Sequence, residues 1–464
     1  MEAVLLIDFG STNTKVTGVD LAGERLLGTA AAYTTVESDV GQGLAEALEK
    51  LQKETGPITW VKRYACSSAA GGLRMVTSGL VPALTAEASR LASLGAGAKV
   101  IRVFSYEMTD EDAAEIAALK PDIFLLSGGV DGGNKDCILH NAKILASVDV
   151  PFPVIVAGNR AVAGECEKIL AATGRETIRC PNVMPQLNKL NIEPVQDEIR
   201  RLFLKRIIQA KGLSREQELI SGILMPTPSA VKKAMELLAW GTEKQRGIGE
   251  LVAVDLGGAT TDVYSVAKGS PQSGDVVMKG LPEPESKRTV EGDLGMRYSS
   301  GGVLEALGAD ELAGLSGLSP EKVSAGVEYL GAHPDFIPAD ADGAALDFGL
   351  AAGAVDTAVS RHAGTIEEVY TPMGQVFVQT GKDLTGVRRL VLTGGAVIHN
   401  QRAGEIASHA LYNKAKPASL RPRAADIYID KSYILAAMGL LAEAWPDTAL
   451  SIMRKEIQEY GTGK

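Results

Sequence analysis

Aromatic residues are scarce in this chain, and it carries no excess of positive charge. Phe, Trp and Tyr make up 5% of the 464 residues, too few for the stacking platforms that grip single-stranded nucleic acid. The formal charge of −10 at pH 7 disfavours a phosphate-backbone partner, although a single nucleotide needs only a local site. Cysteine is also sparse. Cys66, Cys137, Cys166 and Cys180 include no C-x-x-C pair, so neither a cysteine-rich zinc site nor a disulfide framework is expected. No apolar run approaches the ~20 residues of a membrane span. The opening MEAVLLIDFG has no basic stretch and meets an aspartate at residue 8, unlike a secretory leader. The expectation is a cytoplasmic protein that binds neither nucleic acid nor membrane.

What is present is glycine, at 51 positions, and a length that exceeds one compact core. Val4 to Ile7 reads as a strand, Lys15 to Val19 as its hairpin partner, and Glu24 to Tyr33 as a third strand. From about residue 72 to 182, strand-like runs such as AKVIRVFS and DIFLLSGGVDGG alternate with helix-like runs such as DAAEIAALK and KDCILHNAKILA. That βαβ rhythm argues a parallel sheet with helices on its faces. Residues 183 to 245 are richer in helix formers, with Ile199, Leu202, Phe203 and Ile207 on helical spacing and Pro228 in the first turn of a further helix. Strand grammar restarts near residue 250; a loop rich in Pro, Gly and Glu (269 to 293) interrupts it, with residues 269 to 290 the candidate mobile loop, and helices are expected to dominate from there to the C-terminus.

The stretch VLLIDFGSTNTKV (4 to 16) has a counterpart in LVAVDLGGATTDVYSV (251 to 266). Asp8 matches Asp255, Gly10 matches Gly257, Asn13 matches Thr260 and Thr14 matches Thr261, at a constant offset of 247 residues; Lys15 is replaced by Asp262. A buried strand ending in aspartate projects one carboxylate able to orient waters around magnesium. The glycine that follows lets backbone approach a ligand, and successive amides and hydroxyls form a donor surface for phosphate. One such turn alone is no more than a hairpin; two in register suggest half-domains clamping phosphates between them. A third stretch, RRLVLTGGAVIHN (388 to 400), ends a strand in Gly394-Gly395. It is either a plain βα connection or a turn that admits an adenosine. No G-x-x-x-x-G-K-[ST] loop is present, and LGAGAKV lacks the third glycine of a dinucleotide fingerprint.

With these three segments the chain resembles the actin, Hsp70 and sugar-kinase superfamily of ATPases, whose phosphate-1, phosphate-2 and adenosine motifs they match. The resemblance implies an α/β fold of two related actin/Hsp70-like (ribonuclease H-like) lobes. The expected division is a first lobe over 1–72, an inserted α/β segment over 73–182, a helical connection over 183–245 and a second lobe over 246–464. ACSSAAGGLRMV, LTAEA, LSGGVDGGN, NKLNIEPV, MPTPSAV, TVEGDLGMR and YILAAMGLL further resemble the glutamate mutase-associated MutL family, which is unrelated to the mismatch-repair protein of that name. That resemblance implies an ATP-driven accessory protein that protects or reactivates an adenosylcobalamin-dependent mutase.

The resemblance gives each residue a role. Asp8 and Asp255 orient water-bound Mg2+ and the attacking water. Gly10, Ser11, Thr12, Asn13 and Lys15 hold the phosphates of ATP, Gly257, Gly258, Thr260 and Thr261 close from the other side, and Gly394 and Gly395 border adenosine. Lys15 has a plainer reading as a solvated hairpin lysine, and Asp262 is favoured as a hairpin anchor over a metal ligand. Glu291 and Asp293 either belong to the cleft or cap a helix starting at Leu294; Asp430 reads as a helix cap. His140 lacks the D-x-H-x-x-G context of a cobalamin ligand and reads as a surface helical histidine. Residues 127–134 are either a second ligand loop or a tight βα connection. A sugar-kinase-type enzyme and a non-hydrolytic scaffold are the rival functions.

Overall fold

The computed structural model describes residues 2–10, 13–33, 40–68, 73–210, 223–271, 274–372 and 374–463. The chain forms two compact units, Met1–Ala230 with Gly280–Pro282, and Val231–Lys279 with Glu283–Lys464.

In the first unit, β1 (Ala3–Phe9), β2 (Asn13–Asp20), β3 (Arg25–Tyr33), β4 (Trp60–Ser67) and, much later, β10 (Ile223–Pro226) form a sheet in the order β10-β4-β1-β2-β3. β1, β2 and β3 run as an antiparallel meander, while β4 lies parallel to β1 and β10 parallel to β4. Every residue of β1 is buried, and Leu5, Leu6, Ile7 and Phe9 each contribute about 1.5–3 kcal/mol of burial. The helix Val40–Thr55 covers one face; Gly28 of β3 lets it approach, since a Cβ there would lie 3.0 Å from Leu51 and Thr55.

The alternating segment forms a second, wholly parallel sheet within the same unit: β5 (Arg74–Gly79), β6 (Lys99–Ser105), β7 (Ile123–Leu126), β8 (Val154–Val156) and β9 (Thr177–Arg179), in the order β6-β5-β7-β8-β9. Counted within the segment this is 2-1-3-4-5, the flavodoxin-like doubly wound order. The short runs IFLL and VIV are buried throughout, as central parallel strands covered on both faces must be. Local signals start and stop the helices. Thr109 and Asp112 form a reciprocal capping box at the helix Asp110–Leu119, and Lys120 ends it in the left-handed conformation.

The second unit repeats the first sheet's plan. β11 (Leu251–Leu256), β12 (Thr261–Val266), β14 (Ser286–Glu291), β17 (Arg389–Thr393), β18 (Ala425–Ile429) and β19 (Gln458–Gly463) line up as β14-β12-β11-β17-β18-β19. β11, β12 and β14 are the antiparallel meander, β17 is parallel to β11, and β18 is parallel to β17. Both sheets therefore share the strand order 3-2-1-4-5, with β19 an antiparallel edge on the second. This common order is the ribonuclease H-like α/β arrangement, present once in each unit, that the resemblance implies.

One expectation holds and another needs correcting. Helices do dominate after residue 293, from Ser300–Leu307 through Pro446–Glu456, although β15 (Thr365–Thr371), β16 (Gly374–Thr380), β17, β18 and β19 are set among and after them. β15 is almost wholly exposed and carries Glu367 and Glu368, so it lacks the apolar alternation that marks a half-buried strand. Residues 269–290 are not one loop; they hold β13 (Val276–Lys279), which pairs in parallel with β16, and the start of β14.

Buried polar groups fasten this unit. On the 22-residue helix Ala341–His362, His362 bonds Thr289 Oγ1 and Ser265 Oγ at 2.8 Å each, and burial holds its pKa well below the ordinary range. Asp356 of the same helix accepts from Arg421 Nη1 at 2.6 Å and Lys416 Nζ at 2.5 Å. Arg421 is 0% exposed, and its Nε and Nη2 have no hydrogen-bond partner among the described residues. Lys382, also 0% exposed, donates to the carbonyls of Pro284 and Glu285 at 2.8 and 2.6 Å.

Candidate functional site

The two repeated turns are the same object. In the first unit, Gly10 N donates to Asn13 O at 3.1 Å; in the second, Gly257 N donates to Thr260 O at 2.9 Å. A Cβ on Gly10 would lie 2.5 Å from Asn13 O, and one on Gly257 would lie 2.9 Å from Thr260 O. Glycine is therefore required by closure of the turn itself. Asp8 stands opposite Lys15 across β1 and β2, and Asp255 stands opposite Asp262 across β11 and β12. Ser11 and Thr12 lie outside the described residues.

Asp8 is 7% exposed. Its Oδ1 accepts from Thr227 Oγ1 at 2.6 Å and from Cys66 Sγ at 3.5 Å, while Lys15 Nζ lies 4.0 Å from Oδ2. Burial first, and then the charge of Asp8, push the Cys66 thiol well above its ordinary pKa, so it remains a protonated S–H donor. Neither Thr227 nor Cys66 was singled out by the sequence. Register explains the meeting: Asp8 pairs with Cys66 across β1 and β4, and Cys66 pairs with Met225 across β4 and β10. Thr227, two residues beyond Met225, returns to the face those side chains share.

In the second unit, Asp255 is half-buried at the end of β11 and pairs in register with Thr393 of the parallel β17. Gly394 follows with φ +102°, and a Cβ there would sit 2.2 Å from Leu256 O. The adenosine-type turn and the phosphate-type turn thus meet at the carboxyl ends of adjacent strands, with Gly395 exposed beside them. Segment 294–298 backs the turn: Met296 N donates to Gly257 O, and Arg297 N and Tyr298 N donate to Gly258 O. Thr261 is 0% exposed and gives its hydroxyl proton to Leu294 O at 2.8 Å, a bond that locks this backing in place.

The open alternatives resolve one by one. Asp262 receives Arg288 Nε at 2.7 Å and Nη2 at 2.6 Å, so it anchors its hairpin. Asp293 caps no helix at Leu294, because the helix begins at Ser300. It pairs instead, together with Glu291, with Arg361 Nη1 at 2.8–2.9 Å. Asp430 is not the N-cap, which is Ile434, but it accepts from Ile434 N and Leu435 N at the entry to the helix Leu435–Leu441 and from Thr393 Oγ1. His140 Nε2 lies 2.8 Å from Met108 O on its helix flank. In 127–134 Ser127 is buried, and the loop is held from beneath by the buried Asn159. Asn159 takes Gly132 N and gives to Gly133 O and Asn134 O, while Ser127 bonds Ser78 O and Ser89 Oγ. Those bonds support the tight-connection reading of the loop.

No cluster of three or more His, Cys, Asp or Glu suited to a metal occurs among the described residues. Each turn instead ends its first strand in one aspartate, Asp8 or Asp255, which suits Mg2+, an ion that keeps most of its waters and takes one or two carboxylates.

A model of the family described as "MutL protein" matches residues 4–457 of this chain. The chain belongs to the MutL protein family. A relative, Protein MutL from Clostridium tetanomorphum, is 49% identical over 457 residues, spanning 98% of this chain and 99% of its own. Among solved structures, a xylulose kinase from Lactobacillus acidophilus aligns over 100% of this chain and 94% of its own, at 10% identity and TM-score 0.39. A glycerol kinase from Plasmodium falciparum, solved with ADP, aligns over the same shares at 11% identity and TM-score 0.35. Likenesses this distant carry no argument; the architecture of this family member rests on its own strand order. No helix among its described residues is long and apolar enough to cross a membrane.

Proposed function

We propose that this MutL family member binds Mg2+–ATP and hydrolyses it as an accessory factor that reactivates an adenosylcobalamin-dependent mutase of the glutamate mutase or aminomutase type. One observation carries the nucleotide part of this reading: two sheets of equal strand order each end their first strand in Asp-x-Gly and close the same four-residue turn. Asp8 and Asp255 hold metal-bound water, and the metal, when bound, supplies charge neutralisation to the phosphate oxygens. Lys15 adds an ammonium on the phosphate-1 side, 4.0 Å from Asp8 Oδ2. Gly394 and Gly395 leave room for adenosine against the end of β17. Positioning and charge suffice for phosphoryl transfer to water, with no covalent nucleophile. The mutase partner follows from the family resemblance.

The test is ATP turnover with and without purified glutamate mutase loaded with inactivated cobalamin, for the parent and for Asp8→Ala. Stimulation by the mutase, abolished in Asp8→Ala, is expected. Turnover indifferent to every cobalamin mutase ends the accessory role, and phosphorylation of an added polyol at a higher rate than hydrolysis establishes the kinase reading.

A further inference from the structure

Thr227 is the first residue of the helix Thr227–Trp240. Its hydroxyl reaches across 219 positions to Asp8 Oδ1 at 2.6 Å, a short bond strengthened by the charge on its acceptor. Cys66 Sγ approaches the same oxygen at 3.5 Å. Both donors act on Oδ1, and the lysine lies 4.0 Å from Oδ2. The two oxygens of one carboxylate are thereby given different work.

We infer that Thr227 is a positioning residue that clamps Oδ1 of Asp8 and so presents Oδ2 to the water shell of the bound metal. This rests on the proposed nucleotide reading and adds to it a residue outside all three nucleotide motifs. A carboxylate that accepts through a lone pair needs its χ angles fixed, because rotation about Cβ–Cγ exchanges the two oxygens. The Cys66 thiol is a weak donor at long range and cannot supply that restraint alone. Thr227 can, because its own position is set twice over. β10 pairs in register with β4 up to Pro226–Ser67, and Ser229 Oγ, two residues on, donates to Ala96 O at 2.9 Å. Pro228 between them fixes φ and costs no helical hydrogen bond in a first turn. Threonine, unlike a carboxylate in its place, restrains Asp8 without adding negative charge beside a phosphate.

The distinguishing measurement is the Mg2+ requirement for ATP binding, followed by calorimetry in a Mg2+ titration, alongside ATP binding in excess EDTA and the melting temperature of the metal-free protein. Thr227→Val should raise the Mg2+ concentration for half-maximal binding by about 10-fold, the weight of a hydrogen bond to a charged group. Metal-free ATP affinity should stay within about 2-fold, well under the effect of losing such a bond. Thr227→Ser should restore the parent value, and Cys66→Ala should shift it far less than Thr227→Val. A structural role alone lowers the melting temperature and weakens both binding modes equally, which overturns the inference. Should Thr227→Val fold poorly, Thr227→Ala removes the same hydroxyl without adding a methyl against the carboxylate and is read in its place. Unchanged Mg2+ response in Thr227→Val while Asp8→Ala loses it overturns the inference alone. Unchanged response in Asp8→Ala overturns the nucleotide reading and the inference with it.

Discussion

Replacing Asp356 with alanine is the sharpest test of what holds the second unit together. Asp356 accepts from two cations of different standing. Lys416 has 36% of its side chain exposed, and a half-exposed pair contributes only about 0–1 kcal/mol. Arg421 has none of its side chain exposed, and two of its nitrogens already lack partners among the described residues. Removing the carboxylate leaves a buried guanidinium with only the carbonyls of residue 356 and His409, at 3.4 and 3.2 Å. The expected cost is about 3–5 kcal/mol, the price of an uncompensated buried charge. For a domain of this size about 2–4 °C of Tm accompanies each kcal/mol, so the unit should melt about 6–20 °C lower. Thermal and urea unfolding by circular dichroism measure it. The double variant Asp356→Leu with Arg421→Met removes both charges and should recover most of the loss, giving a large coupling in a double-mutant cycle. The effect also has a pH signature. Burial opposes the charge on Asp356, but the bonds from Arg421 and Lys416 outweigh it and hold its pKa below the ordinary value. Stability from this group is thus full above about pH 4 and is lost as pH falls through the folded pKa. A loss under about 1 kcal/mol in Asp356→Ala, or one that persists undiminished in strong acid, refutes the reasoning.

Two further outcomes are expected. Gly10→Ala forces a Cβ to 2.5 Å from a backbone oxygen, against 2.9 Å for Gly257→Ala. The first should weaken Mg2+–ATP binding by about 10-fold, the worth of the turn's closing bond, and the second by less; calorimetry showing the reverse order removes the equivalence of the turns. Burial brings the Lys382 amine down to about 7. The unfolded chain then binds the extra proton between that value and the usual lysine range, so stability should rise with pH there by up to about 1.4 kcal/mol per unit. Lys382→Met should flatten that slope between pH 7 and 9; an unchanged slope assigns it to another group.

The strands nearest the repeated turns were legible because their signals are local. VLLIDF and LVAVDL are apolar runs bounded by Asp-x-Gly, and the fixed offset between them exposed a duplication before any fold was known. β15 was not legible, since its residues face solvent on both sides and owe their extended form to β16. Asp293 was misread as a possible cap because aspartate before an apolar residue is a common helix start; Arg361, 68 positions away, claims it instead. Thr227 stood in a segment already marked as a helix beginning, yet nothing in MPTPSAV points to Asp8.

By itself the sequence determined the two Asp-x-Gly turns, the glycines they demand and the βαβ character of residues 72–182, because φ/ψ preference and hydrophobic period act between neighbours in the chain. Tertiary structure alone decided the partners of the carboxylates: Thr227 and Cys66 on Asp8, Arg288 on Asp262, Arg361 on Glu291 and Asp293. Those choices depend on which strands become adjacent and in what register, a property of long-range pairing that no local pattern encodes.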